Sequence, residues 1–486
     1  MFDRKNRGYL KNRGYLSNQG YLKRVNIRTK NSYKKMDAGI GVGGLSIGKD
    51  ELASSCFDLF SYPEIETGIR KACVQTFRPI STTTSKGPFT FDIPADPDKF
   101  TDAESIRLHG AMKIMANDNG TLSDMAAGDK VSTVNNIFNS LWSSVNTQLN
   151  GTEITDPSSR WYAYKSYFEN NLSYSTASKI NTLSSRGFFK DTPDKYDDVG
   201  IAGGNSANTG FNDRKKLFES SKWVYFCINL HTDITTLRKY IPPNIKITME
   251  LQRNSDAFCL LSPKAENSFA IELKDLKIKL NRYLPSLSVK TFYENKLRSG
   301  AKPLLPMDRS LLKTYTVKSG TSDLSHYNII SGRQLPEQVI IGIVKETAHR
   351  GDIGKNPFNF QDFGLKEASL VVNGVHEPSE PYKLDISGGD KVDLYSSFLE
   401  NTGVSTDDRE FGISMSDFYG GSLLLVWDRS PDKCNRFHRH EMDSGSIDVN
   451  LKTKTPLTET VTVIIYATYS TDIQIDADNN VILNRF

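Results

Sequence analysis

Phe269-Ala-Ile-Glu-Leu-Lys-Asp-Leu-Lys-Ile-Lys-Leu280 decides the fold class. Apolar and polar residues alternate along it, the period of a β-strand with one face in a core. The alternation slips by one position at Lys274-Asp275. A β-bulge, one extra residue in one strand of a pair, would keep the apolar side chains on a single face across that slip. The same period recurs in Asn244-Ile-Lys-Ile-Thr-Met-Glu-Leu251, in Ile447-Asp-Val-Asn-Leu451 and in Val461-Thr-Val-Ile-Ile-Tyr-Ala-Thr-Tyr469. Between such runs lie turn signals. Val145-Asn-Thr-Gln-Leu149 leads into Asn150-Gly151, and Leu370-Val-Val372 leads into Asn373-Gly374. Asn-Gly at these places predicts two tight hairpins with positive φ at both turn residues.

In each half the hairpin is followed by alternating strands around a proline-bearing connector, Pro242-Pro243 in the first and Pro456 in the second. This pattern predicts one β-module used twice. Helical pattern is scarce. The best window is 159–172, where Trp161, Tyr164, Phe168 and Leu172 recur at spacings of three and four, with Ser158 and Ser159 as cap candidates. Many short strands and few helices define an all-β chain of sandwiches or jelly rolls.

The chain has 486 residues, enough for two domains. The expected organisation is an arm with a glycine-rich joint (1–49), a first module (50–284) and a second (285–486). Pro285 follows the long strand and marks the crossing, near 281–290. No run approaches the roughly 20 apolar residues of a membrane helix, and no apolar leader segment opens the chain. Sequons at Asn119, Asn150 and Asn171 are therefore expected to stay unglycosylated. Five widely spaced cysteines, with no CxxC pair, argue against a disulfide framework and for a reducing compartment.

Charge is divided unevenly. Residues 1–35 hold 11 Lys/Arg against one acid, Asp3, so the arm carries +10 while the chain as a whole is +4. The arm repeats a six-residue unit: Lys5-Asn-Arg-Gly-Tyr-Leu10, Lys11-Asn-Arg-Gly-Tyr-Leu16 and Ser17-Asn-Gln-Gly-Tyr-Leu22. Glycine every six residues disfavours a helix, and three short units bury no core. Its cations, Arg4, Lys5, Arg7, Lys11, Arg13, Lys23, Arg24, Arg28 and Lys30, are candidate phosphate contacts. Tyr9, Tyr15 and Tyr21 are candidate stacking groups for bases. A solvated tail, or an arm that ties neighbouring subunits together, is the competing reading.

Catalytic signatures are sparse. His438-Arg-His440-Glu441 resembles the start of a cupin metal motif, but the glutamate is adjacent to the second histidine and the second motif is missing, so a polar loop is expected. His231-Thr-Asp233 has no accompanying nucleophile signature and reads as a hydrogen-bonded loop after a strand. Asp476-Ala-Asp-Asn-Asn480 lacks the later glutamate of a calcium loop and reads as a turn. Arg350-Gly351-Asp352 matches the integrin tripeptide, a match short enough to arise by chance, and reads as a polar loop. No catalytic residue, metal site or cofactor is expected.

The body is similar to the double jelly-roll major capsid proteins, or hexons, of Polinton (Maverick) elements and adintoviruses. The resemblance runs from about Glu51 to the end. It is carried by Asp58-Leu-Phe-Ser61, Phe77-Arg-Pro-Ile80, Val134-Asn135, Leu149-Asn-Gly151 and Tyr162-Ala-Tyr-Lys-Ser-Tyr-Phe-Glu169. Leu230-His-Thr-Asp233, Asp256-Ala-Phe-Cys259, Gln334-Leu-Pro336, Asn356-Pro-Phe-Asn-Phe360 and Val372-Asn-Gly374 follow in order. Ala163 stands where that family usually has a proline. The resemblance implies two tandem eight-stranded jelly rolls, and homotrimers that form pseudo-hexagonal capsomers of an icosahedral shell. It also implies penton and minor capsid proteins as partners and a virion assembled in the host cytoplasm or nucleus. The arm lies outside the resemblance, but a shell would explain the charge split, with the basic arm facing packaged double-stranded DNA. Segments 161–168 and 356–360 are the expected contributors to the trimer interface. The alternatives are a minor capsid or penton protein, or a β-sandwich enzyme or glycan-binding protein.

Overall fold

The structure, a computed structural model, describes residues 65–483 apart from 81–85, 127, 157–160, 201–205, 265–267, 385–390, 405–409, 434–439 and 442. The arm, and with it every proposed nucleic-acid contact from Arg4 to Lys30, lies outside the described residues.

Among the described residues, sixteen of twenty strands form the frame of four principal sheets. The first eight are β1 (Ile69–Phe77), β2 (Phe89–Ile93), β3 (Phe100–Asp118), β4 (Trp142–Leu149), β5 (Thr152–Glu153), β6 (Val224–Asn229), β7 (Ile247–Arg253) and β8 (Phe269–Pro285). They pair in the orders β1-β8-β3-β6 and β2-β7-β4-β5. The next eight are β9 (Leu304–Val317), β10 (His326–Gln334), β11 (Gln338–Lys345), β12 (Leu365–Val372), β13 (Val375–Lys383), β14 (Leu424–Asp428), β15 (Ser444–Thr453) and β16 (Val461–Ile475). Their orders are β9-β16-β11-β14 and β10-β15-β12-β13. Adding eight to each strand number of the first pair of sheets yields the second pair. Two facing four-stranded antiparallel sheets in this order form a jelly roll. The chain is a double jelly-roll, and among the described residues no strand of one set pairs with a strand of the other.

The long strand β8 shows why the pattern folds this way. Phe269, Ile271 and Leu273 are buried, then Leu276, Ile278 and Leu280. The register on β3 shifts between Lys274 and Lys277, with Asp275 at φ 55°. The bulge takes up the extra residue, so both halves of the strand bury the same face. Each large apolar side chain so buried contributes roughly 1.5–3 kcal/mol.

Both expected hairpins are present. Asn150 and Gly151 have φ of 47° and 83°, and Asn373 and Gly374 have 50° and 83°, with Leu149 opposite Thr152 and Val372 opposite Val375. A third hairpin at Asn119-Gly120, with φ of 47° and 96°, joins β3 to the short strand Thr121–Ser123. All three residues of that strand are exposed, so no apolar alternation marked it.

Four helices matter below: α1 (Tyr162–Ser173), α2 (Thr209–Phe218), α3 (Leu287–Arg298) and α4 (Val392–Asn401). The 159–172 pattern found α1. Its N-cap is Trp161, which makes no side-chain cap bond, and Ser158 and Ser159 lie outside the described residues. The pattern gave no sign of α3, which buries none of its residues and so needs no apolar stripe. Among the described residues no helix is long and apolar enough to cross a membrane.

The two β1-type sheets differ in one respect. In β1-β8-β3-β6 one face is buried and the other carries exposed side chains such as Val74 and Tyr225. In β9-β16-β11-β14 both faces are covered: residues 461–469 of β16 are buried throughout, as are 339–344 of β11 and all of β14.

Candidate functional site

The outer face of β9-β16-β11-β14 is where the two jelly rolls meet. Residues 165, 168 and 169, three and four apart on α1, share one side of that helix. Glu169 Oε1 accepts from the Tyr466 hydroxyl of β16 at 2.8 Å, and its Oε2 lies 2.6 Å from His231 Nδ1. Lys165 Nζ donates to Asp233 Oδ1 at 2.5 Å, and Ser310 Oγ of β9 donates to the same oxygen at 2.9 Å. The Tyr162 hydroxyl accepts from the His231 backbone N–H at 2.9 Å. Burial acts to raise the Glu169 pKa, but Lys165 and the His231 and Tyr466 hydrogen bonds outweigh it and hold the carboxyl at about 2. Burial acts to lower the Lys165 pKa, and the charges of Asp233 and Glu169 reverse this and raise it. The space left among these groups is about 20 Å³, the size of a water and not of a substrate. Of His231-Thr-Asp233, His231 ties down α1 within the first roll and Asp233 meets Ser310 of the second, which is the work of a hydrogen-bonded loop.

Aromatic rings continue the junction. Tyr167 stacks on Phe358 at 4.3 Å between centroids, with 7° between planes. Phe168 lies 5.4 Å from Phe360 and 6.1 Å from Tyr466. Trp161 lies 4.1 Å from His349, whose Nδ1 is 3.2 Å from the Tyr164 hydroxyl. Phe360 sits over Gly342 of β11, where an added Cβ would meet its ring at 2.6 Å. Segments 161–168 and 356–360 were expected to reach a trimer partner. That expectation is corrected: Tyr164, Phe168, Phe358 and Phe360 are fully buried against one another inside a single chain.

A third cluster sits beside it. Arg214 of α2 is fully buried and donates to Asp191 Oδ1 at 2.7 Å, to the Thr133 carbonyl at 2.7 Å and to the Phe189 carbonyl at 2.8 Å. Asn208 Nδ2 donates to the same Asp191 oxygen at 2.9 Å. Tyr196 and Ser422 hydroxyls meet at 2.8 Å across the junction. Sequence reasoning missed Arg214, because nothing in Asn212-Asp-Arg-Lys-Lys216 separates one buried cation from its solvated neighbours.

Burial, followed by the Arg350 charge, pushes the His349 pKa down from 6.5 to about 4. The unfolded chain therefore takes up a proton below 6.5 that the folded chain refuses until about 4. Stability is fully present above pH 6.5 and falls as pH drops through that window, by roughly 3 kcal/mol at 1.36 kcal/mol per unit. Denaturant midpoints at pH 7 and pH 4.5 should show the loss in the wild type, and His349→Phe should remove most of it. An unchanged pH slope in that variant would place the acid sensitivity elsewhere.

The remaining nominated residues separate. His440 Nε2 pairs with Asp432 at 2.8 Å, and His438 lies outside the described residues. Among the described residues no group of three or more His, Cys, Asp or Glu is placed to hold a metal ion. Asp476 Oδ1 accepts from the backbone N–H of Asp478 at 3.0 Å and of Asn480 at 2.8 Å, which is a turn. Arg350-Gly-Asp352 was read as a loop. Instead Arg350 ends a short helix, Glu346–Arg350, and Gly351, at φ 105°, caps it against the Phe258 backbone. Cys73, Cys227 and Cys259 are free thiols, while Cys56 and Cys434 lie outside the described residues.

No protein-family model matches the chain. An uncharacterised protein of Caenorhabditis elegans is 22% identical over 359 residues, covering 72% of this chain and 81% of that one. Solved structures of much lower identity match nearly end to end. The Sputnik virophage structure determined by cryo-EM superposes with a TM-score of 0.58 at 12% identity, covering 93% of this chain and 95% of that one. The Faustovirus major capsid protein gives 0.53 at 10%, covering 96% and 97%. The mavirus major capsid protein gives 0.50 at 11%, covering 93% and 97%. The fold is that of viral double jelly-roll major capsid proteins.

Proposed function

We propose that the chain is the major capsid protein of a Polinton- or adintovirus-type element, and that its homotrimers form the pseudo-hexagonal capsomers of an icosahedral shell. The observation that carries this reading is the repeated strand order. Three copies of a chain with two equivalent rolls supply six similar units around one axis, which suits hexagonal tiling. The reading places one module at 50–284 and the other at 285–486, with α3 just past the crossing. It gives the chain itself, penton and minor capsid proteins, and double-stranded DNA as partners, and the virion as its location, assembled in the host cytoplasm or nucleus. The basic arm faces the packaged genome.

Obligate interfaces of this kind bury ~2,000–5,000 Å² and survive dilution. Light scattering on full-length protein at micromolar concentration and neutral pH should return three times the 54.5 kDa chain mass. A monomer under those conditions would contradict the proposal.

A further inference from the structure

We propose that the outer face of β1-β8-β3-β6 is a second contact for packaged double-stranded DNA, which it holds by the phosphates through Lys274, Lys277 and Lys279. The inference rests on the proposed DNA partner and places part of that contact on the body of the protein.

The register assembles the face. Residues directly opposite each other in an antiparallel pair lie on the same side of the sheet. Lys279 stands opposite Arg107, Lys277 opposite His109, Lys274 opposite Ala111 and Glu272 opposite Lys113. On β6, Tyr225 stands opposite Ala111 and Cys227 opposite His109. Tyr225 is 70% exposed, so this is the side turned to solvent. The equivalent face of β9-β16-β11-β14 is covered by α1, whose Glu169 and Phe168 both reach Tyr466.

Charge selects the partner. Arg107, Lys113, Lys274, Lys277 and Lys279 share the face with one carboxylate, Glu272, which lies 3.1 Å from Lys113. Asp275 stands at the bulge between Lys274 and Lys277. Among the described residues no carboxylate pairs with Lys274, Lys277 or Lys279. Like charges placed opposite each other weaken a sheet. The crowding is felt at His109, whose pKa is lowered first by burial and then by Lys279, Lys277 and Arg107. A polyanion laid on the face would offset that repulsion.

The aromatic groups decide how the polyanion is held. Lys274 Nζ lies 3.9 Å from the centre of the Trp223 ring, and Lys113 Nζ lies 5.0 Å from it. Lys274 Nζ is also 5.8 Å from the Tyr225 ring. A ring covered by cations leaves little room for a base to stack, as binding of a single strand requires. Contacts therefore go to phosphates, and the binding is independent of sequence. The body is acidic as a whole, −6 over residues 36–486, and this face is its basic exception. Downstream of the arm, the described chain joins this same sheet as β1, its edge strand, whose Thr76 stands opposite Lys279. The face thus adds to the arm's hold on DNA and does not replace it.

The test uses full-length protein and a mixed-sequence DNA duplex, with binding followed by fluorescence anisotropy. Lys274→Gln with Lys277→Gln and Lys279→Gln should weaken binding at least about tenfold at about 100 mM salt, and should make the slope of log K against log salt shallower by about 2–3. A control with the same change in charge, Lys216→Gln with Lys366→Gln and Lys383→Gln, alters exposed side chains on α2, β12 and β13. It should shift binding less than about twofold, because charges that far from the contact are screened. Wild-type affinity and slope in the first variant, or an equal loss in the control, would overturn the inference. So would loss of the trimer in the first variant, which would make the face a contact between copies. Should that variant fail to fold, lysine labelling of the wild type decides. Bound duplex should slow modification of Lys274, Lys277 and Lys279 at least about threefold, and equal labelling with and without DNA would overturn the inference. A wild type that binds no duplex at low salt would remove the DNA partner itself. Binding that the first variant leaves unchanged would remove only this second contact.

Discussion

DNA binding by the full-length protein is expected to fall by ~10³–10⁵ between 50 and 200 mM salt if 6–10 arm charges contact phosphates. The arm carries +10 within residues 1–35, whereas the other 451 residues carry −6. A mildly acidic body repels a polyanion, so affinity should reside in the arm. In sequence, the glycine-rich joint Ala38-Gly-Ile-Gly-Val-Gly-Gly44 separates the arm from the body. Deleting residues 1–35 should leave trimers and shells intact and remove most DNA retention, and filter binding across a salt series would measure both the affinity and its slope. Shells that fail to form after the deletion, with DNA binding by free trimers unaffected, would make the arm a tie between capsomers instead.

The second large effect concerns folding. Arg214→Met should lower the free energy of unfolding by about 3–5 kcal/mol, because it strands the Asp191 carboxylate without its cation. Both side chains are fully buried. The three Arg214 donor contacts span Thr133, Phe189 and Asp191, so the loss loosens loops from separate parts of the first roll at once. A second substitution, Asp191→Asn, should recover part of the loss by removing the stranded charge. Urea unfolding of the single and double variants would measure this. A loss below about 1 kcal/mol in the single variant would show that the pair is dispensable.

The fold was legible because its strands carry their environment in their period. The slip at Lys274-Asp275 could be read as a bulge because a one-residue error would turn Leu276, Ile278 and Leu280 to solvent. Asn-Gly was readable at 150–151 and 373–374 because apolar strands flank it, and unreadable at 119–120 because Asp118, Thr121 and Ser123 offer no apolar side. The junction was less legible. The aromatic residues of 161–168 and of 356–360 are apolar enough for either an interface or a core, and only the fold shows that they face each other. Lys165, Glu169 and Asp233 look like surface charges until α1 brings Glu169 to Tyr466 of β16 and Lys165 to Asp233, which also meets Ser310 of β9. The basic sheet face was hidden as well. Arg107, His109, Lys277 and Lys279 lie on strands that are distant in sequence and adjacent only in the sheet.

Electron microscopy of the purified full-length protein tests the central claim most directly. The account predicts three-chain particles of pseudo-hexagonal outline, each showing six jelly-roll lobes, that assemble into closed icosahedral shells. Dispersed single chains of two lobes, at concentrations where shell proteins assemble, would contradict it.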